Sequence, residues 1–328
     1  MYINQIFELS MVLDNEKFRK ILNRVHKRDG YLEENKTEYI DHSMAAKGVV
    51  VKYRDSQYRK KITVIVNANL GIDSGEAEKD RFIQKLDKRI REYFDYKYQM
   101  DDFSLGEVCF VTDIDVENHE NVLAYLKVLQ RIGRVKGYSP SGYDCFNGRN
   151  SFCLDGNSNG IEFMIYDLAG VLGECIRKND KGRKKTEAMI RRAKGILRVE
   201  IRLAKPKAIR SYTNAVKISD QILELTADRK DIFLDVFTQI IPYGDYYKKD
   251  EAIEIIRKSI KDSVMRRKML QLLTLVPEKK SLYLAQKAMN CRDIEKIMDA
   301  FAKISVSPIT IGKRQGIKYM RSLHIDLS

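Results

Sequence analysis

A tyrosine and a glutamate on two apolar runs are the residues of this chain whose types and spacing best suit chemistry. Tyr166 lies in the run 160–170 and Glu200 in the run 195–203, and both runs have the apolar character of strands. The stretch 177–202 carries eleven Lys or Arg residues and only three acids. Two strands joined by such a cationic helix would hold a polyanion against a hydroxyl nucleophile.

The phenol of Tyr166 needs help to act as a nucleophile. Its ordinary pKa is about 10, so reaction at neutral pH requires a metal-polarised phosphate or a cationic neighbourhood. The alternative is that Tyr166 only packs at the end of a strand, as an isolated tyrosine in such a position ordinarily does. The basic stretch that follows Tyr166 favours the chemical interpretation.

Two carboxylates lie on an earlier strand-like run, 109–116. Asp113 and Asp115 share one face of this run because side chains alternate along a strand. Carboxylates among Val, Phe and Ile cost desolvation energy unless they are paired or bind a metal. The pattern therefore predicts a hard divalent ion at this face. The alternative is that the two aspartates mark a solvated side of the strand.

Basic side chains around Tyr166 are predicted to bind DNA phosphates. On the strand at 195–203, Arg198 and Arg202 alternate with apolar residues, so they point away from the core. A charged, purely solvated face is the alternative. The basic residues predicted on the preceding helix are Arg183, Lys184, Lys185, Arg191, Arg192 and Lys194.

A second basic group, Lys313 and Arg314, lies near the C-terminus. It precedes a segment with amphipathic spacing that extends to Leu323, while Ser307 and Pro308 suit a helix N-cap and first position. The segment predicts the second half of a helix-turn-helix that binds DNA. A C-terminal helix with a solvated basic face is the alternative.

The overall composition favours a nucleic-acid partner. The 328 residues include 60 Lys or Arg and 46 Asp or Glu, a formal charge of +14, and phosphate neutralisation dominates nucleic-acid affinity. Five cysteines without a C-x-x-C pair fit a reducing cytoplasm. The N-terminus lacks a signal-peptide pattern, and no apolar run approaches the roughly 18 residues of a membrane span. No P-loop, dinucleotide fingerprint or histidine metal motif occurs, so those enzyme classes are not indicated.

The apolar periodicity predicts an α+β fold, with an antiparallel sheet that carries helices on one face. Two β-branched runs, 48–54 and 61–67, indicate a hairpin. From about Ser219 the pattern is nearly all helical. We therefore expect two domains, residues 1–212 with the sheet and residues 213–328 as a helical domain of helix-turn-helix or winged-helix type.

The order of these elements resembles that of the rolling-circle replication initiators of filamentous phages (the gene II type) and, more distantly, of small Gram-positive plasmids. The similarity covers roughly residues 45–328. Leu168 stands where the family usually has a lysine, and the hairpin strand offers Asn67 in place of a carboxylate. The motifs that carry the resemblance are Asp113-Ile-Asp-Val116, Ile165-Tyr-Asp-Leu168, Arg198-Val-Glu-Ile-Arg-Leu203 and the ending Lys318–Leu327.

The resemblance implies a replication-initiator nicking domain. Such proteins cut one strand of an origin through a tyrosine that becomes linked to the 5′-phosphate, free a 3′-OH for the polymerase, and later rejoin the displaced strand. On the matching positions, Tyr166 would be the nucleophile and Asp115 a carboxylate of the metal site, which would hold Mg²⁺ or Mn²⁺. Glu200 would be a further metal ligand, and Asp113 lies beside Asp115 in the same motif.

The expected partner is origin DNA of a plasmid, phage or mobile element, single-stranded or extruded from a duplex. A host helicase or polymerase and a second copy of the chain are the other partners considered, and the expected location is the cytoplasm. The alternative is a non-catalytic DNA-binding regulator of replication or transcription on the same scaffold. An RNA-binding protein ranks last because no RNA-recognition motif occurs.

Overall fold

The computed structural model of the protein shows an α+β fold built on one large sheet. No helix in the described part of the chain is long and apolar enough to cross a membrane. The ranges that the structure describes are 2–26, 32–35, 37–68, 76–141, 150–156, 158–178 and 183–327. Within these ranges only the backbone is described at 32–35, 76–80, 175–178, 183–186 and 326.

Ten strands of the described residues form a single sheet in which every neighbouring pair is antiparallel. The order across the sheet is β2-β3-β4-β5-β1-β6-β10-β9-β8-β7. These strands are β1 (Asn4–Leu13), β2 (Leu32–Asn35), β3 (Glu38–Asp41), β4 (Val49–Asp55), β5 (Lys60–Asn67), β6 (Ser104–Asp115), β7 (Ser139–Pro140), β8 (Ser151–Asp155), β9 (Ile161–Asp167) and β10 (Ile196–Leu203).

Alternation along the central strands gives the sheet one core face and one polar face. In β1 the residues Phe7 and Leu9 are buried, and in β10 every second residue from Leu197 to Leu203 is buried. The residues between them, including Arg198 and Glu200, are half-buried on the other face. The predicted orientation of the charges on β10, away from the core, is confirmed.

Most of the helices cover the core face. The rings of Phe18 in the first helix and Tyr53 in β4 pack edge to face at 6.3 Å, and Phe237 packs against Phe163 of β9 at 6.2 Å. The helices of the described residues are α1 (Asn15–His26), α2 (Glu76–Tyr93), α3 (His119–Leu129), α4 (Leu168–Lys178), α5 (Arg183–Ala193), α6 (Pro206–Arg210), α7 (Ile218–Ala227), α8 (Arg229–Ile240), α9 (Lys249–Ser259), α10 (Ser263–Lys279), α11 (Leu282–Met289) and α12 (Ile294–Lys303).

The pair α4–α5 lies on the opposite face, which corrects the expectation that helices cover one face alone. Ala193 of α5 and Leu168 of α4 are buried in a small cluster with Met164 and Tyr166, separate from the main core. Met164 and Tyr166 point to the polar face because they alternate with the core residues Phe163 and Ile165. Met164 and Tyr166 thus form an apolar patch on an otherwise polar face, and the helix pair packs on this patch because burial of apolar surface is favourable.

The helical part of the chain after β10 shares the main core with the sheet. One cluster of buried residues joins Phe7 and Leu203 of the sheet to Leu225 of α7 and Phe301 of α12. The buried amide of Gln5 donates a hydrogen bond of 2.9 Å to the carbonyl oxygen of Leu225. The last strand of the large sheet ends at Leu203, the chain after it is mainly helical, and the hydrophobic core continues across this change.

The C-terminal segment is not the predicted helix. Two short strands, β11 (Tyr246–Tyr247) and β12 (Tyr319–Met320), pair there instead. Val306 and Ile311 are buried and form parallel bridges to residues before and after β11. The apolar residues of the segment are therefore buried against an extended chain, and a helical face does not form. The prediction of a helix up to Leu323, and of a helix-turn-helix built on it, is wrong.

Candidate active site

Tyr166 is fixed by its strand and by the helix pair α4–α5. It is the penultimate residue of β9 and lies directly opposite Arg198 of β10 on one side and Ser151 of β8 on the other. The residue is only 5% exposed, because Leu168 and Ala193 pack with it. The burial of Tyr166 follows from its position in the chain. It is the last residue of β9 on the polar face, and α4 starts two residues later.

The hydroxyl of Tyr166 donates a hydrogen bond of 2.5 Å to Oε1 of Glu200. Glu200 lies opposite Met164, two residue pairs further along the strands and on the same face, so the bond runs diagonally across the polar face. Burial of the ring raises the pKa of Tyr166 far above its ordinary value, and the negative charge of Glu200 adds to this, while the nearby guanidinium of Arg198 lowers it. The phenol therefore keeps its proton in the resting protein and has an acceptor for it in place.

Arg198 is held in turn by Asp113. Its Nε and Nη2 atoms donate hydrogen bonds of 2.7 and 2.9 Å to the two carboxylate oxygens of Asp113, directly opposite on β6. This two-pronged pairing raises the pKa of Arg198 further above its already high value. A permanent positive charge thus lies beside the phenol of Tyr166.

Arg202 ties Glu200 to a wider group of carboxylates. Its guanidinium lies 3.0 Å from Glu107, 3.5 Å from Glu162 and 3.4 Å from Oε2 of Glu200. Burial raises the pKa of Glu107 to about 7, although the charge of Arg202 opposes that rise. The same Oε2 of Glu200 is 3.8 Å from the thiol of Cys109. Both carboxylate oxygens of Glu200 are therefore oriented, one towards Tyr166 and one towards Arg202.

The three carboxylates predicted to bind a metal do not lie together. Asp115 lies opposite Ile196, whereas Glu200 lies opposite Val111. Positions 111 and 115 of β6 are about 13 Å apart along a strand. Asp115 is exposed, and its Oδ1 accepts a hydrogen bond of 2.8 Å from the backbone N–H of Glu117.

The remaining predicted ligand, Asp113, is engaged as well, since Arg198 donates to both of its oxygens. Among the described side chains, no three from His, Cys, Asp and Glu are grouped so that they could hold an ion. The arrangement of Asp113, Asp115 and Glu200 thus does not fit one shared Mg²⁺ or Mn²⁺.

Exposed cations border the tyrosine at the end of α5. Arg191, Arg192 and Lys194 are exposed on either side of Ala193, the residue that packs with Tyr166. Gly195 then leads into β10 with φ +94°, and a Cβ there would meet the backbone of Glu117 at 2.8 Å. A glycine is therefore required where this cationic segment joins the sheet. The side chains of Arg183, Lys184 and Lys185 lie outside the described residues.

Lys313 and Arg314 lie elsewhere on the surface. They are exposed in the loop between Ile311 and β12, and Nζ of Lys248 donates hydrogen bonds of 2.6 Å to the carbonyl oxygens of Gly312 and Gln315 in the same loop. Among the hydrogen bonds and ion pairs of the described residues, none links this loop to Tyr166.

A buried aspartate next to the tyrosine is the residue that the sequence pattern did not single out. Asp167 is fully buried, and its Oδ1 accepts a hydrogen bond of 3.1 Å from the N–H of Ala169 in the first turn of α4. Its other oxygen lies 3.5 Å from Nδ1 of His119. An aspartate directly before a helix is an N-cap signal. The chain therefore carries a signal for the start of α4, although the apolar run 160–170 by itself predicts a strand.

The site combines a buried phenol, a carboxylate that accepts its hydrogen bond, a paired guanidinium and a rim of exposed cations. Such a set is able to orient a hydroxyl for attack on a phosphate, because it supplies an acceptor for the hydroxyl proton and a fixed positive charge. Comparison of the chain with protein-family models and with curated proteins gives no match.

Proposed function

We propose that the protein nicks and rejoins one strand of DNA through Tyr166, and that it initiates replication at the origin of a plasmid, phage or mobile element. The observation that carries this proposal is the 2.5 Å hydrogen bond from the Tyr166 hydroxyl to Glu200, with Arg198 opposite the tyrosine. A nucleophile, a proton acceptor and a cation adjoin each other at this point of the polar face. The formal charge of +14 supports a polyanionic substrate.

In the proposed reaction, the phenolic oxygen of Tyr166 attacks a backbone phosphorus atom. The new O–P bond forms as the bond from phosphorus to the 3′-oxygen breaks, which leaves a 5′-phosphotyrosyl link and a free 3′-OH. The phenolic proton passes to Glu200, and the departing 3′-oxygen takes a proton from water. Rejoining is the reverse step, in which a 3′-OH attacks the phosphotyrosine and Tyr166 regains its proton.

Arg198 has a separate role in this scheme. Because Asp113 orients its guanidinium on the polar face of the sheet, its charge is in place before the phosphate arrives. The same charge favours the phenolate form of Tyr166 by lowering the pKa of the phenol. Arg191, Arg192 and Lys194 would bind the flanking phosphates. The 3′-OH released by the cut is the end that a host polymerase extends.

The proposed reaction requires that the buried hydroxyl of Tyr166 becomes accessible to DNA. A phosphodiester reaches the hydroxyl only when α4 and α5 shift from the ring, since the residue is 5% exposed. The same burial favours the second candidate, a DNA-binding regulator in which Tyr166 only joins α4–α5 to the sheet. DNA binding by a protein that never nicks would identify that second function.

The experiment uses a supercoiled plasmid that carries the DNA flanking the protein's own gene. The protein is incubated with it in Mg²⁺ or Mn²⁺, and a denaturing gel reveals protein covalently bound to DNA. The test variant is Tyr166→Phe. The matched control is Tyr212→Phe, because the Tyr212 hydroxyl also donates to a carboxylate, at 2.7 Å to Asp235, on a different part of the chain.

We expect the covalent complex with the unaltered protein and with Tyr212→Phe, and none with Tyr166→Phe. A complex that persists in Tyr166→Phe would contradict the assignment of the nucleophile. DNA that is bound but never cut by the unaltered protein would support the regulator instead.

A further inference from the structure

Two consecutive helices in the C-terminal part are joined by a turn of three residues, as in a helix-turn-helix. α9 ends at Ser259, and α10 begins at Ser263 after the turn 260–262. Oδ1 of Asp262 accepts hydrogen bonds from the N–H groups of Val264 and Met265 at 2.8 and 3.3 Å. Arg266 closes the turn by donating a 3.2 Å hydrogen bond to the carbonyl oxygen of Ile260. A short turn capped in this way holds the two helices in a defined relation.

The region around this turn is strongly basic. Residues 257–292 contain ten Lys or Arg residues and only two acids. Arg257 and Lys258 in the last turn of α9 and Lys261 in the turn itself are exposed. A surface of this charge attracts a polyanion, and its charge lies on the helices rather than on a tail.

One face of α10 carries the packing, and this leaves the opposite face to solvent. Met269, Leu272, Leu273 and Val276 are fully buried against the neighbouring helices. Nζ of Lys268 lies 2.9 Å from Asp293, which ties α10 to the start of α12. The orientation of α10 is thus fixed from two sides, by the core and by this ion pair.

The outward face of α10 presents three side chains with the chemistry to distinguish bases. Val264 is 50% exposed, and Arg267 and Gln271 follow it on the same face at spacings of three and four residues. Arg267 forms no ion pair with any described residue. In the major groove, arginine pairs with guanine, glutamine pairs with adenine, and an apolar side chain contacts the thymine methyl group.

We propose that α10 enters the major groove of duplex DNA and that Val264, Arg267 and Gln271 recognise its base sequence. Lys258 and Lys261 bind phosphates beside the groove. The B-form duplex is the partner that fits, because its major groove admits a helix whereas that of duplex RNA is too narrow. This inference extends the proposed function, since a nicking protein must locate its site, but its test does not depend on nicking.

The test selects bound molecules from a pool of DNA duplexes with about 20 randomised base pairs and sequences them. We expect the unaltered protein to enrich one short motif. Arg267→Ala should lose the preference for guanine at one position by roughly 10- to 100-fold, and Gln271→Ala the preference for adenine at a nearby position. The matched control is Lys88→Ala, an exposed lysine of α2 with 74% of its side chain accessible.

The selection experiment has outcomes that would contradict recognition of DNA by α10. No enrichment by the unaltered protein, or the same motif in both α10 variants, would overturn it. The selected sequence made as duplex RNA should bind at least about 100-fold more weakly, and equal binding would point to an RNA partner instead. Tyr166→Phe should select the same motif as the unaltered protein, so failure of nicking and failure of duplex recognition are separate outcomes.

Discussion

Arg198 and Asp113 face each other across the β6–β10 pair and share two hydrogen bonds, of 2.7 and 2.9 Å. The sequence predicts Asp113 as a metal ligand, whereas in the structure both of its oxygens orient a guanidinium beside Tyr166. Under the proposed function Asp113 is a positioning residue, because it acts on the reaction through Arg198. This role leads to the first prediction.

Replacement of Asp113 by Asn should slow strand cleavage by about 10- to 100-fold, because Arg198 loses its charged partner and its fixed orientation. DNA affinity should change less than about threefold, since the guanidinium itself remains. Single-turnover cleavage and a binding titration measure the two quantities. The control is Asp115→Asn, since Asp115 is exposed and its carboxylate pairs with no guanidinium in the described structure. Equal rate losses in both variants would argue against the positioning role.

Glu200→Gln should slow cleavage by about 10²- to 10⁴-fold, because the amide still accepts a hydrogen bond from Tyr166 but takes up no proton. The rate should also become dependent on hydroxide in the variant. A profile of single-turnover rate against pH tests both points. Glu162→Gln provides the control, because Glu162 also lies against Arg202, at 3.5 Å, without a hydrogen bond to the phenol. A Glu200→Gln protein of unaltered rate would remove Glu200 as the proton acceptor.

Glu107 should make folding stability depend on pH. Burial raises its pKa to about 7 from an ordinary value of 4.5, so the folded state favours the protonated form. The stability contributed by this preference is fully present below pH 4.5 and is lost as pH rises to about 7. Relative to Glu107→Gln, the free energy of unfolding of the unaltered protein should fall by about 3 kcal/mol between roughly pH 4.5 and 8. Urea unfolding at the two pH values measures it, and a difference that is constant with pH would contradict the prediction.

The cations at the end of α5 should contribute to DNA binding through phosphates. Replacing Arg191, Arg192 and Lys194 by Ala should reduce the slope of log affinity against log salt by about one unit for each phosphate that is no longer neutralised. Titrations of a labelled single strand at several salt concentrations give the slope. The matched control replaces three exposed lysines of α1 and α2 by Ala, namely Lys17, Lys20 and Lys88. An unchanged slope in the α5 variant would place the DNA on another surface.

Most of the strands and helices follow from local pattern. The β-branched runs at 48–54 and 61–67 form the hairpin β4–β5, and the spacing of Phe18, Ile21, Leu22 and Val25 gives α1. Alternation on β10 also places Glu200 and Arg198 on the polar face with Tyr166. These features depend only on the period of a strand or helix, and the sequence displays that period directly.

The features that depend on partners distant in sequence were not predictable. The separation of Asp115 from Glu200 is set by the register of β6 against β10, and no local pattern encodes that register. The C-terminal segment has helical spacing, yet it is not helical. Val306 and Ile311 form β-bridges to the chain around β11 and are buried there, whereas a helix on the surface would leave part of this apolar segment in solvent. The start of α4 is different, because Asp167 and its cap are recognisable from the chain alone.

The hydrogen bond between Gln5 and Leu225 joins residues 220 positions apart inside one apolar interior. A fragment that ended near residue 212 would keep Tyr166 and Glu200 but would expose Phe163, Phe7 and their neighbours to water. The part of the chain that carries Tyr166 and the helical part after β10 therefore share one hydrophobic core. Under the proposed function, a change of target sequence is therefore confined to outward side chains such as those of α10, which lie outside this interior.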